Sequence, residues 1–166
     1  MPIFFAMKQN AKYITYSGIL AALYAGLCYL QNALLPGSAS WVIQFRAAEA
    51  LCALAFFTPA AVPGLTIGCF LFNLSFSGSL PLDLLVGTLA TFLSVGGMYL
   101  CRKTRWKLWT LSFPVIANAI LVGWELAIYV GGGFWLNAFY VAVGEAAVMF
   151  TLGLFLYEAL KKIRFS

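Results

Sequence analysis

The stretch Gln44-Phe45-Arg46-Ala47-Ala48-Glu49-Ala50 carries two opposite charges three residues apart, inside an apolar segment that runs from Trp41 to Phe57. On a helix that spacing stacks both side chains on one face, where they can pair. A charge at the centre of a membrane helix costs on the order of 2.5–3.5 kcal/mol on insertion scales, so two of them do not belong on a lipid-facing surface. Either they neutralise each other as a structural pair, or the segment lines a polar cavity. The other polar side chains set within or beside apolar stretches bear on that choice: Asn73, Asp83, Asn118, Glu125, Asn137 and Glu145. Ionised carboxylates accept paired N–H donors and attract cationic amines. The chemistry on offer is recognition of a ligand.

Several other chemistries are excluded. The chain holds no His, which removes His-ligated metals, a Ser-His-Asp triad and a His proton relay. Its four cysteines, Cys28, Cys52, Cys69 and Cys101, have no metal-binding spacing and read as small packing residues. There is no Walker-type phosphate loop, so ATP is not hydrolysed through one on this chain. No enzyme activity, metal or cofactor is expected.

The elements that must position these residues follow from composition. Of 166 residues, 63% are hydrophobic and 9% charged, against about 25% charged in a soluble domain. Mean hydropathy is +0.94. The chain is predicted to be an all-α integral membrane protein forming a single domain over 1–166. The net charge of +5 is no nucleic-acid signal, because the basic residues cluster just outside apolar spans, as orientation by positive-inside charge requires.

Six spans are predicted, over 13–35, 42–57, 60–76, 81–101, 108–130 and 134–160. The first is too long for the core of a cleavable signal peptide, about 7–15 residues. It carries small residues at helical spacing: Gly18, Ala22 and Gly26 on one strip, Ala21 and Ala25 on the adjoining one. Such a face lets a second backbone approach closely, either within the protein or on a separate membrane subunit. Pro36-Gly37-Ser38-Ala39-Ser40 is a loop, with Trp41 following at an interface position. Thr58-Pro59 ends the second span. Asp83 falls in the first turn of the fourth, where the helix dipole favours a carboxylate. Asn118 and Glu125 share a face of the fifth. Gly131-Gly132-Gly133 separates the fifth from the sixth. With Lys8/Lys12, the Arg102–Lys107 run and the C-terminal basic cluster all inside, four spans precede the run and two follow, so both termini are expected to be cytoplasmic.

At about 1.5 Å per residue, Glu49 lies roughly 12 Å from the outer end of its span, Glu125 roughly 8 Å, and Glu145 roughly 16 Å. Asn73, Asp83, Asn137, Trp41 and Trp135 fall near the outer boundary, and only Glu158 among the acids falls at the cytoplasmic end. This sorting by depth predicts an outward-opening polar cavity floored near mid-membrane. One carboxylate balances Arg46, and the others ask for a ligand that brings donors or positive charge, or are protonated when it is absent.

The chain resembles the substrate-binding S component of an energy-coupling factor (ECF) vitamin transporter, in its queuosine-precursor (QueT-type) branch. The resemblance covers nearly the whole chain. Its more specific features are Ala21-x-x-x-Ala25, Gln44-Phe45-Arg46-x-x-Glu49-Ala50, the run from Pro63-Gly64-Leu65-x-Ile67-Gly68-Cys69 to Asn73, and Leu82-Asp83-x-x-x-Gly87-Thr88-Leu89. It implies an S-component-like bundle in a prokaryotic-type plasma membrane, binding 7-aminomethyl-7-deazaguanine or queuine. It also implies that the first helix docks, through Gly18, Ala21, Ala22, Ala25 and Gly26, on a membrane-embedded T subunit energised by two ATPase subunits. The substrate-binding candidates are Trp41, Arg46, Glu49, Asn73, Asp83, Asn118, Glu125, Asn137 and Glu145. Alternative readings are an S component for another vitamin or nucleobase, and a small proton-coupled secondary transporter using Glu125 or Glu145 as its relay.

Overall fold

In a computed structural model that describes residues 2–36, 45–75, 81–104 and 107–162, every regular element is helical. The first is α1, Pro2–Leu34, followed by a 3-10 helix, Ala47–Phe56. Next come α2, Ala61–Ser75, and α3, Pro81–Leu100. A 3-10 turn, Lys107–Leu111, leads into α4, Ser112–Tyr129. Helix α5, Phe134–Val148, runs through a π-helical turn, Met149–Gly153, into α6, Leu154–Leu160.

Four stretches are long and apolar enough to cross a membrane: Asn10–Leu34, Leu82–Leu100, Trp109–Tyr129 and Phe134–Leu160. The segments expected over 42–57 and 60–76 are the exceptions, with described helices of 10 and 15 residues. The first of these is also not an α-helix. Long 3-10 runs are rare because side chains at i and i+3 eclipse one another. Here five of the ten residues are alanine, which relieves that crowding. At a rise of about 2.0 Å per residue the segment still covers about 20 Å, against a hydrocarbon core of about 30 Å.

This 3-10 helix is the centre of the bundle. It packs against α1, α2, α3, α5, the π turn and α6. Its eclipsed row Glu49, Cys52, Ala55 is wholly buried, as are Ala48 and Ala53. Around it gather Tyr24, Leu65, Met98, Leu111 and Met149. A smaller cluster, Val86, Ala90, Val122 and Val141, joins α3 to α4 and α5. Large apolar side chains such as Ile14, Leu23, Leu85, Leu93, Ile120 and Phe139 are exposed, which is the surface a lipid-embedded bundle presents.

Since lipid gives no hydrophobic drive between helices, close backbone approach must hold them. Gly64 and Gly68 supply it between α2 and α1: a Cβ at Gly64 would sit 2.8 Å from the Ser17 carbonyl oxygen, and one at Gly68 would sit 2.6 Å from that of Ala21. Gly123 does the same between α4 and α5, where a Cβ would come within 2.7 Å of Ala138 Cα. The turn before α5 needs glycine for a different reason. Gly131, Gly132 and Gly133 have φ of 84°, 80° and 83°, which L side chains rarely adopt.

Replacing Gly68 by Leu is expected to force α1 off α2 and to lower the unfolding temperature in detergent, with a loss of about 1–3 kcal/mol from overpacking. A Cβ at Gly26 meets nothing within 4 Å, so Gly26→Ala should be neutral or stabilising by about 0.5–1 kcal/mol. Equal effects at the two sites would contradict this packing.

Candidate functional site

Arg46 stands immediately before the 3-10 helix with φ −100° and ψ 88°. This corrects the expectation that Arg46 and Glu49 stack on one helical face. Arg46 is not helical, and the ion pair found among the described residues is Lys161 with Glu158. The peptide units on either side of Arg46 are held by Gln31 of α1. Its Nε2 donates to the Phe45 carbonyl, and its Oε1 accepts from the Ala47 N–H at 2.9 Å. The guanidinium is buried and reaches α3, where Nη1 lies 3.4 Å from the place a Gly87 Cβ would occupy. The Asn73 amide meets that same point at 2.7 Å, so a Cβ at position 87 would displace the amide and touch the guanidinium.

Glu49 is fully buried, and both of its oxygens accept hydrogen bonds. Oε1 accepts from the Tyr24 hydroxyl at 2.5 Å and from the Thr91 hydroxyl at 2.9 Å; Oε2 accepts from Cys52 Sγ at 3.2 Å. Cys69 Sγ lies 3.3 Å from the same Thr91 hydroxyl. Three elements are thereby tied through one carboxyl group: α1, the 3-10 helix and α3. Cys52 and Cys69 accordingly take part in hydrogen bonding, beyond the packing role expected of them. All four cysteines are free, and no cluster that could hold a metal ion occurs among the described residues.

Three further acids, Asp83, Glu125 and Glu145, lie within electrostatic reach of Arg46. Asp83, in the first turn of α3, lies within electrostatic reach of Glu125 of α4. Asn73 Nδ2 donates to the Asp83 carbonyl at 3.4 Å. Glu145 of α5 faces Glu49 and Arg46. Arg46 is thus one guanidinium within the electrostatic reach of four carboxyl groups, Glu49, Asp83, Glu125 and Glu145. The other described basic residues that line up at helix ends, Arg102, Lys103, Lys161 and Lys162, sit after α3 and α6.

Some buried polar atoms of this group, and one on Asn118 of α4, are unsatisfied. Arg46 Nε, Asn118 Oδ1, Glu125 Oε2 and both oxygens of Glu145 are buried and have no hydrogen-bond partner among the described residues. Glu145 is 1% exposed and Asn118 1%. Asn118 uses only its amide nitrogen, donating to the Pro114 carbonyl at 3.0 Å. In a membrane-embedded interior each such atom carries a desolvation cost that a ligand's complementary group would remove. Acceptors outnumber donors in the set.

A family model described as QueT transporter matches residues 14–162. The chain belongs to the QueT transporter family. It is accordingly a member of a family of transporters, and its apolar helices are those of a multi-pass membrane protein. No curated protein and no solved structure matches the chain.

The structure brings Arg46, Glu49, Asn73, Asp83, Glu125 and Glu145 of this transporter into one polar region. It gives two of the expected site residues other work. Glu49 is saturated by its own protein partners, and Asn137 Nδ2 donates to the Gly131 and Gly133 carbonyls at 2.7 and 2.9 Å, fixing the glycine turn. Trp41 and the loops at 37–40 and 77–79 lie outside the described residues. The small-residue face of α1 is divided. Gly18, Ala22 and Gly26 are exposed and Ala25 is partly so, whereas Ala21 is buried against Gly68 of α2. Ala21 therefore belongs to internal packing. Sequence reading missed Tyr24, Gln31 and Thr91. Gln31 alone carried a signal, as an amide near the end of an apolar helix.

The contrast between Glu49 and Glu145 is testable without ligand. Glu49→Gln puts an amide against three donors and is expected to cost about 1–3 kcal/mol of stability. Glu145→Gln breaks no described hydrogen bond and should leave the unfolding midpoint of the ligand-free protein nearly unchanged. A reversed order would overturn the division into a carboxyl satisfied by protein partners and one without them.

Proposed function

We propose that this transporter-family protein is the substrate-binding S component of an ECF-type importer for a queuosine precursor, 7-aminomethyl-7-deazaguanine or queuine. The observation that carries this reading is the set of buried, unpartnered acceptors of Glu145 and Glu125 within electrostatic reach of a single guanidinium, with a further one on Asn118 of α4. A deazaguanine offers the complementary pattern. Its guanine edge presents paired N–H donors, its side-chain amine is cationic near neutral pH, and its ring carbonyl can accept from Arg46. Glu145 would accept the N–H pair, with Glu125 and Asp83 facing the amine. Asn73 would act indirectly, by holding the Asp83 backbone beside Gly87. Trp41 remains proposed as a stacking lid.

Coupling is proposed to run through the exposed strip Gly18, Ala22 and Gly26, with Ala25 beside it, docking on a T subunit that two ATPase subunits energise. The membrane is proposed to be a prokaryotic-type plasma membrane, with both termini on the cytoplasmic side. Ala22→Trp should therefore abolish uptake while the isolated protein binds ligand as before; loss of both would mean that the strip serves the fold.

The substrate assignment is tested by titrating 7-aminomethyl-7-deazaguanine into the wild type and Glu145→Gln. The variant opposes a ligand donor with a donor of its own, so the expected loss is roughly 2–4 kcal/mol, or about 30- to 1000-fold in affinity. A variant that folds and binds within threefold of wild type removes Glu145 from the site. A wild type that binds no deazaguanine removes the substrate.

A further inference from the structure

We infer that Gln31 is a positioning residue for the ligand site: its carboxamide fixes the backbone of Arg46, and so the direction in which the guanidinium points. The inference rests on the reading of Arg46 as part of that site, but the clamp itself is independent of which ligand binds.

The geometry is specific. Gln31 donates to the carbonyl of Phe45 and accepts from the N–H of Ala47. The first group belongs to the peptide plane before the Arg46 Cα and the second to the plane after it. Two peptide planes flanking one Cα define its φ and ψ. A side-chain amide that grips both therefore holds both dihedrals of Arg46 at once. The pattern is the one a neighbouring residue would make in a parallel β-ladder, with a glutamine side chain in place of the missing strand.

Arg46 needs such support. Its φ −100° and ψ 88° lie outside the helical region, so the hydrogen bonds of the 3-10 helix do not determine them. Its carbonyl accepts from the Glu49 N–H at 2.9 Å, which fixes the following turn but leaves the preceding peptide free. As the first residue of the 3-10 helix, Ala47 has no intrahelical acceptor for its N–H, and Gln31 supplies one. Tyr24, seven residues before Gln31 and two turns down α1, holds the same 3-10 helix through Glu49. The two contacts register α1 against the segment that bears Arg46.

The first test uses the unaltered protein in detergent micelles. Hydrogen exchange at the Ala47 amide should be as slow as in the interior of α3, although Ala47 is only half-buried and opens its helix. Exchange as fast as at an exposed helix start would overturn the clamp. The second test compares wild type with Gln31→Leu by mapping modification of Arg46 with phenylglyoxal, a guanidinium-specific reagent. Modification should accelerate about tenfold in the variant, as expected for losing about 1.4 kcal/mol of hydrogen bonding. Thr15→Val, which removes a hydroxyl from the exposed face of the same helix, should leave the rate unchanged. An Arg46 as unreactive in Gln31→Leu as in wild type would also overturn the clamp. In parallel, affinity for 7-aminomethyl-7-deazaguanine should fall by about tenfold in Gln31→Leu. A faster-reacting Arg46 with unchanged affinity would detach the clamp from binding and refute the inference. Absence of binding by wild type would refute the substrate reading alone, since exchange and modification read the clamp without ligand.

Discussion

The fully buried carboxyl group of Glu49 is the constraint from which the rest of the architecture follows. An acid placed in the middle of an apolar bundle must be given donors, because lipid and packed side chains offer none. Tyr24 of α1, Thr91 of α3 and Cys52 of the same 3-10 turn supply them. Each donor comes from a different part of the chain or a different turn, so satisfying the acid also fixes where α1 and α3 stand relative to the 3-10 helix. The ten-residue 3-10 helix is held from outside rather than by its own propensity. Its alanines leave room for the surrounding helices, and its eclipsed i, i+3 row brings Cys52 directly over Glu49.

Glu49 is satisfied within the protein, while other carboxyl groups of the same polar region are not. Glu145 and Glu125 are nearly as buried as Glu49, but they retain oxygens with no partner among the described residues. The same residue type thus takes two roles because of what surrounds it. Arg46 lies within electrostatic reach of all three, its backbone hydrogen-bonded on both sides by Gln31 and its guanidinium beside Gly87. A glycine on α3 and a glutamine on α1 therefore bear on where Arg46 stands. Membership of a transporter family agrees with a polar region of this kind, whose buried atoms lack partners among the described residues.

Helix packing likewise divides the small residues of α1. Two strips of small residues lie side by side along it. The glycines of α2 occupy one, at Ser17, Leu20, Ala21 and Tyr24, and leave the other open. Small residues permit close approach on any face. Which face is used inside the protein depends on the partner helix having its own small residues in register, as Gly64 and Gly68 do.

The sequence by itself determined the class, the helical character, the succession of apolar segments and the breaks at Pro59 and Gly131-Gly132-Gly133, because these depend on composition and on local backbone preference. It also determined which polar residues had to be explained, since Arg46, Glu49, Asp83, Asn118, Glu125 and Glu145 are costly in an apolar setting wherever they end up. Only the tertiary structure decided how each cost is met. Glu49 is satisfied by Tyr24 and Thr91, which are distant in sequence, and Asn137 by the glycine turn beside it. Arg46 leaves its expected helical pairing because Gln31 holds its backbone in another conformation. Ala47–Phe56 forms a 3-10 helix packed among six neighbouring elements. A hydrogen bond depends on a partner's position in space to within a fraction of an ångström. Periodicity in one chain fixes the face of a helix but not what that face meets.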